Sequence, residues 1–288
     1  MLFWSLDALR GAEFERAVVV VAPNQSKVHQ LLTEYGDRNR NFVVRQVFQN
    51  DPLGTGHAAR EGLGGLQYDS SSLSLRGRTI LIVTGDTPLL RPETLRDFVS
   101  FHRQGGHAVS LIAFRHNNPT GYGRVLLDES RQFLAIREER DCSPKERGVD
   151  LCNSGIMCIE SNQASELFNR LDRNNAAHEY YLTDVPAIAR DLLGQHQSPV
   201  GVYISKDAAE FEGVNNQEQL ANATGVLRSR VIRTLMAEGV LFESPDTAWV
   251  EDTVTFGADV VVEPFVVLRG SIHISDGARV RSGTGISH

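Results

Sequence analysis

The residue with the clearest chemical expectation is Asp86, in the run VTGDTPLL. A carboxylate kept directly after a buried strand is costly unless a metal or hydrogen-bond donors surround it. Magnesium ligation is one reading. The other is that Asp86 caps the turn begun by Thr87 and Pro88. Its place at the carboxyl end of a strand, where open α/β sheets bind ligands, favours the metal. Magnesium prefers a few hard oxygens together with phosphate oxygens, so one carboxylate and one amide oxygen from separate loops suffice. Asn215, in EFEGVNNQ, is the candidate for the second.

Five further runs have glycines or polar groups that suit a binding site. In QNDPLGTGHA, Gln49 to Ala58, glycines flank a threonine between a strand and a helix, where backbone N–H groups can approach a base or a phosphate. A purely structural turn is an equal reading, and His57 reads as a packed helix residue. PTGYGR, Pro119 to Arg124, sets two glycines beside an aromatic, which suits either a tight turn or close backbone approach to a sugar or base. Glu138 in AIREERD and Asn153 in LCNSGI end and begin neighbouring strands and have groups for sugar hydroxyls, although a solvated face explains each singly. HEYYLTD, His178 to Asp184, reads equally as a packed, capped helix start.

The elements that must position these residues alternate strand and helix. AVVVVAP leads into QSKVHQLLTEYG, NFVVRQ into GTGHAAREGLGGL, and TILIVTGD into PETLRDFVSFHRQ. That pattern predicts an α/β sheet covered by helices on both faces. The Ile-Leu-Ile-Val run of TILIVTGD predicts a fully buried central strand. After HAVSLIAF the pattern shortens to GRVLLD, FLAIREE and SGIMCIE, which predict antiparallel strands around a more variable lid. From Asn216 to Gly239 the apolar spacing and a glycine stop predict one long connecting helix.

The last segment has a different period. Val250, Phe256, Val262, Leu268, Ile274, Val280 and Ile286 fall six residues apart among small, glycine-rich and charged neighbours. Such hexads predict a left-handed parallel β-helix of about two coils. Ordinary alternating strands also place apolar residues six apart, but seven consecutive matches favour the coil. A stack ending at His288 would leave an apolar end open, so the expectation is that more coil follows in the natural protein. The expected division is a domain over 1–215, a linker helix and connection over 216–249, and the first coils over 250–288.

Bulk properties narrow the class of partner. A net charge of -7 with no cluster of bases along the sequence speaks against a nucleic-acid or membrane surface, while small phosphates remain compatible. Three cysteines without CxxC pairing read as reduced thiols, which favours the cytoplasm. The opening MLFWSLDALRGAEFERA is too short and too charged for a signal peptide or a membrane span.

In this order, QNDPLGTGHA, TGDTPLL, NPTGYGR, REERD, CNSGI, EYYLTD, EGVNN and the hexads resemble the bacterial bifunctional N-acetylglucosamine-1-phosphate uridylyltransferase and glucosamine-1-phosphate acetyltransferase family. The resemblance covers nearly the whole chain. It implies a Rossmann-like nucleotidyltransferase mixed sheet, a connecting helix and the start of a left-handed β-helix. It implies that Gln49, Gly54 and Thr55 contact uracil, that Gly123, Glu138 and Asn153 hold N-acetylglucosamine, and that Gly85 lies among the substrate-binding positions. Asp86 and Asn215 would bind Mg²⁺. The implied partners are UTP, N-acetylglucosamine 1-phosphate and UDP-N-acetylglucosamine, in a homotrimer assembled through the β-helix.

Two departures qualify the resemblance. The family opens with a strand and a loop of the form LAAGxGTxM followed by a Pro-Lys pair, and neither occurs here. The family's acetyltransferase histidine and acetyl-CoA groove belong to later coils, so acetyl transfer is not expected of this chain. Three readings stay open at this point: an active uridylyltransferase, an inert fragment of one, and a related nucleotidyltransferase of different base or sugar.

Overall fold

The computed structural model describes residues 1–67, 75, 77–194 and 198–287. They form two compact units, Met1–Glu212 and Gly213–His288.

The first unit opens with α1 (Leu2–Gly11), β1 (Arg16–Val21), α2 (Ser26–Arg38), β2 (Val43–Phe48), α3 (Thr55–Gln67), β3 (Thr79–Ile82) and α4 (Pro92–Gly105). It continues through β4 (Val109–Arg115), β5 (Arg124–Leu127), β6 (Phe133–Arg137), α5 (Pro144–Arg147), β7 (Leu151–Glu160), α6 (Ser161–Asn169), α7 (Val185–Leu193) and β8 (Val200–Ser205). Local chemistry fixes several boundaries. Pro92 sits in the first turn of α4, and Gly106 ends that helix in the left-handed conformation at φ 61°. A reciprocal Ser143 and Glu146 capping box starts α5.

The main sheet is mixed, in the order β6-β5-β7-β4-β8 with β3 also on β7. β4 and β8 run parallel, whereas β7 is antiparallel to β3, β4 and β5. β1 and β2 form a separate parallel pair. Alternation along β4 splits the core between two faces. Ile112 and Phe114 join Leu6, Leu32, Leu95, Phe98 and Phe211 in one cluster. Val109, Leu111 and Ala113 join Leu167, Phe168, Val185 and Ala189 in the other. Helices therefore cover both faces, and β5, β6 and β7 are the antiparallel strands that the alternating stretches predict.

The run Thr79 to Asp86 departs from expectation. β3 stops at Ile82, its residues are half-buried, and among the described residues it is bonded on one side only, to β7. Ile80 and Ile82 pack on one core and Leu81 and Val83 on the other, which explains the unbroken apolar run. Two buried faces demand apolar residues at every position, and the sequence says nothing of whether both edges are paired.

In the second unit Asn216 caps α8 (Gln217–Ala237) through a side-chain bond to the Gln219 N–H. Then come β9 (Leu241–Phe242), β10 (Trp249–Val250), β11 (Thr255–Phe256), β12 (Val261–Val262), β13 (Val267–Arg269), β14 (His273–Ile274), β15 (Arg279–Val280) and β16 (Gly285–Ser287). They pair in parallel as three short ladders, β10-β13-β16, β11-β14 and β9-β12-β15. Val250 pairs with Leu268 and Leu268 with Ile286, so residues three hexads apart stack, as in a parallel β-helix. Val250, Val262, Leu268, Ile274 and Val280 line its interior, with Ile232 and Leu235 of α8 in the same core. The predicted connecting helix is thus a packed part of this unit.

Candidate functional site

One irregularity in β7 organises the first unit. Leu111 of β4 faces Met157, but Ala113, two residues on, faces Asn153, so β7 carries extra residues across from Ile112. Gly155, within this bulge, has φ 77°, and a Cβ there would meet Thr84 Cγ2 at 2.9 Å. β4 runs along one edge of β7. On the other edge β3 pairs with residues 157–160 and β5 pairs at Cys152, end to end. The bulge is where the two meet. It brings the Thr84–Asp86 turn after β3 and the Gly121–Gly123 turn before β5 to one stretch of strand.

Around Asn153 the predicted sugar-facing residues converge. The Asn153 N–H donates to Gly123 O at 2.8 Å. A Cβ on Gly123 would lie 3.4 Å from Glu138 Oε2 and 3.6 Å from Asn153 Cβ, so a glycine keeps this space open. Asn153 is 9% exposed and its Oδ1 is buried without a hydrogen-bond partner. A buried amide oxygen left unmatched costs about 1–3 kcal/mol, which a ligand hydroxyl or amide N–H would recover. The Thr183 hydroxyl donates to Glu138 Oε1 at 2.8 Å. Burial pushes the Glu138 carboxyl up, against the pull of that hydroxyl. Asp184 next door is pushed up to about 6 by burial and by the charges of Asp172, Glu138 and Asp141.

The glycine turn itself is braced. Arg124, 1% exposed, pairs with Glu139 Oε2 at 2.8 Å and donates to Tyr122 O, and Glu139 Oε2 also accepts from the Gly121 N–H at 3.2 Å. These bonds hold the Glu139 carboxyl below its ordinary range. Arg124 and Glu139 lie in runs singled out from sequence, yet nothing in either run announces a brace.

The predicted base-facing residues assemble through the same segment that carries Thr183. Tyr180 N donates to Leu53 O and Gly56 N donates to Tyr180 O, each at 2.8 Å. Leu182 N donates to Thr55 Oγ1 at 3.1 Å. Gly54, at φ 109°, lies so close to Tyr180 that a Cβ would approach its carbonyl oxygen to 2.6 Å. The Gln49 amide bonds Gly54 O at 3.1 Å and His57 Nδ1 at 3.0 Å, and His57 Nε2 faces Glu61 at 3.3 Å. HEYYLTD is therefore the hub joining the GTG turn to Glu138. Its helix start was legible, since Leu182–Asp184 form a turn leading into α7, but no side chain caps that start, and its bridging role was not legible.

Asp86 and Gly85 are exposed after β3, where the Thr84 and Thr87 hydroxyls close the turn at 3.0 Å. Thr87, not Asp86, thus makes the local cap, and the Asp86 carboxylate has no hydrogen-bond or ion-pair partner among the described residues. Asn215 stands in the second unit, in the turn into α8; its N–H donates to Gln219 Oε1 at 2.7 Å, and its side-chain amide is uncommitted. Each offers a free hard oxygen, the donor type that Mg²⁺ prefers. Groups of three or more His, Cys, Asp or Glu able to hold a metal do not occur among the described residues.

Comparison with known proteins bears directly on this site. The MobA-like NTP transferase domain matches residues 1–147, which contain the GTG turn, Asp86, Gly123 and Glu138. The chain belongs to that family. As a MobA-like NTP transferase it carries a nucleotidyltransferase domain, and its similarity to individual proteins extends further. It is 37% identical over 287 residues to "Bifunctional protein GlmU" of Pelobacter propionicus, covering 100% of this chain and 59% of that protein. The protein of that name from a Synechococcus species is 39% identical over 277 residues, 94% of this chain and 39% of its own length. That from Thermobifida fusca is 37% identical over 279 residues, 97% of this chain and 55% of its own. The NTP transferase thus spans between two-fifths and three-fifths of the length of these relatives. No helix among the described residues is long and apolar enough to cross a membrane.

Proposed function

We propose that this NTP transferase transfers UMP from UTP to N-acetylglucosamine 1-phosphate, giving UDP-N-acetylglucosamine and pyrophosphate. The observation that carries the reading is the meeting of Gly123, Glu138 and the unsatisfied Asn153 Oδ1 at the β7 bulge, joined through Thr183 and Leu182 to the Gly54–Thr55 turn. GlmU relatives over the whole chain support it.

In this reaction a sugar-phosphate oxygen attacks the α-phosphorus of UTP, the new P–O bond forms, and the bond to the β-phosphate oxygen breaks with release of pyrophosphate. Two phosphates are positioned and their charge is neutralised, so no protein nucleophile is required. Gln49, Gly54 and Thr55 hold the uracil, and Gly54 lets the backbone approach closely. Asn153 accepts a hydrogen bond from the sugar, Glu138 accepts from a sugar hydroxyl, and Gly123 leaves room for both. Gly85 shapes the turn beneath the phosphates. Asp86 would hold Mg²⁺, which supplies charge neutralisation at the phosphates, and the family resemblance alone adds Asn215 as a magnesium ligand.

Isothermal titration of the folded chain with UDP-N-acetylglucosamine and Mg²⁺ tests the reading. Saturable binding, lost in Asp86→Ala and in Asn153→Ala, is expected. A folded chain that binds nothing overturns it and leaves the inert-fragment alternative.

A further inference from the structure

A second polar concavity lies at the opposite end of β2 from Gln49. The connection between α2 and β2, with the end of α1, forms a cavity of about 330 Å³ lined by Arg10, Arg38 and Arg40 together with Asp37, Asn39 and Asn41. Gln49 follows β2 and this connection precedes it. The two places are therefore separated by the length of a six-residue strand, about 20 Å.

The frame of this cavity is fixed. Asn39 N donates to Tyr35 O at 3.1 Å, Asn39 Nδ2 donates to the same carbonyl at 2.9 Å, and Phe42 N donates to Asn39 O at 2.8 Å. Phe42, 2% exposed, anchors the turn in the core. Arg10 is aimed by Asp7, whose Oδ1 it meets at 3.1 Å, and Asp7 is itself held by the Tyr35 hydroxyl at 2.7 Å. Arg38 and Arg40 differ: neither has an ion-pair partner among the described residues, and both are exposed at the rim.

The charge balance singles this place out. With Arg10 already paired to Asp7, the guanidiniums of Arg38 and Arg40 face the single carboxylate of Asp37, a local positive excess in a chain whose net charge is -7. Asp37 and the carbonyl end of α2 oppose an anion, and Arg38 and Arg40, which have no ion-pair partner among the described residues, outweigh them. Guanidinium forks match phosphate oxygens two at a time, and the Asn39 and Asn41 side chains add neutral hydrogen-bonding groups. The volume lies at the small end of ligand cavities and suits a metabolite, not a chain.

We propose that this cavity is a second binding site, for a small phosphate-bearing anion, separate from the nucleotidyltransferase site. Orthophosphate, pyrophosphate and a hexose 1-phosphate share the required chemistry.

The test titrates the whole chain with each of these three anions by calorimetry, at constant ionic strength set with chloride. It compares the unmodified chain, the Arg38→Gln/Arg40→Gln double variant and Asp86→Asn. Both arginines are exposed, so the double variant should melt at the same temperature as the unmodified chain. Expected is saturable binding of at least one anion, weakened tenfold or more in the double variant and retained in Asp86→Asn. Tightest binding of pyrophosphate identifies an inorganic ligand, and hexose 1-phosphate binding more tightly than orthophosphate identifies a sugar phosphate. Equal affinity in the double variant, loss only in Asp86→Asn, or no saturable binding of any of the three overturns the proposal. None of these outcomes depends on UDP-N-acetylglucosamine binding, so the two sites fail or stand separately.

Discussion

Thr183 Oγ1 donates to Glu138 Oε1 at 2.8 Å, while one residue earlier the Leu182 N–H donates to Thr55 Oγ1. A single backbone segment therefore orients both the carboxylate of the proposed sugar site and the threonine of the proposed base site. Thr183→Val deletes the hydroxyl that holds the Glu138 carboxyl down, so burial will push it further up. UDP-N-acetylglucosamine affinity should fall about tenfold at pH 6, the scale of one hydrogen bond to a charged group, with a smaller loss at pH 8. Titration at the two pH values measures it, and equal affinity at both would show that Glu138 is held without Thr183.

Asp184 offers a pH test of stability. Its carboxyl is pushed up from an ordinary 3.8 to about 6 by burial and neighbouring acids. Between those values the native chain binds more protons than the unfolded chain. The resulting stabilisation is fully present below 3.8 and is lost as pH rises through 6. Asp184 makes no side-chain cap to α7, so Asp184→Asn removes the charge without removing a cap bond. The variant should melt on the order of 2 °C higher than the parent at pH 7.5, with the difference shrinking toward pH 4. A constant difference across that range would refute the assignment.

Two glycines of α3 and its approach should respond in opposite directions. At Gly54 the φ of 109°, and a Tyr180 carbonyl oxygen only 2.6 Å from where a Cβ would stand, leave no room for a side chain. Gly54→Ala should cost about 2 kcal/mol or more, by strain and backbone displacement. Gly64, in the last turn of α3, has nothing within 4 Å of the corresponding point, and Gly64→Ala should stabilise by about 0.5 kcal/mol. Urea midpoints of the two variants decide the matter.

The coil provides a packing test. Leu268 is fully buried between Val250 and Ile286 in the same ladder. Leu268→Ala should destabilise the second unit by about 2–5 kcal/mol. Trp249, which lies within 6 Å of both Arg228 and Arg269, reports on this unit when Trp4 is replaced by Phe. An unchanged Trp249 unfolding transition would contradict the packing.

Much of this architecture was legible because burial writes a period into the sequence. Val250, Val262 and Leu268 point inward once per rung, so the coil declared itself six residues at a time. The alternating strands β5 to β7 were equally plain. Pairing was not: the unbroken apolar run of β3 reports two covered faces, whereas its pairing on one edge only, among the described residues, depends on which strand lies beside it. The glycine turns and Glu138, Asn153 and Asp86 stood out by residue type. What joins them did not, because Arg124, Thr183 and Leu182 act through partners 15, 45 and 127 residues away. Arg10 and Arg40 likewise sit too far apart in sequence to register as a basic cluster.

The bulged strand also dictates when the first unit can be finished. Thr79 on β3 bonds Glu160 at the far end of β7, 81 residues later, and β5 needs Cys152 of the same strand. During synthesis the helices and the β1–β2 pair can form as they emerge, but β3, β4 and β5 have no common partner until residues 151–160 have been made. Closure of the sheet is thereby a late, long-range event, and until then the edges of those three strands that will meet β7 have their N–H and C=O groups unpaired.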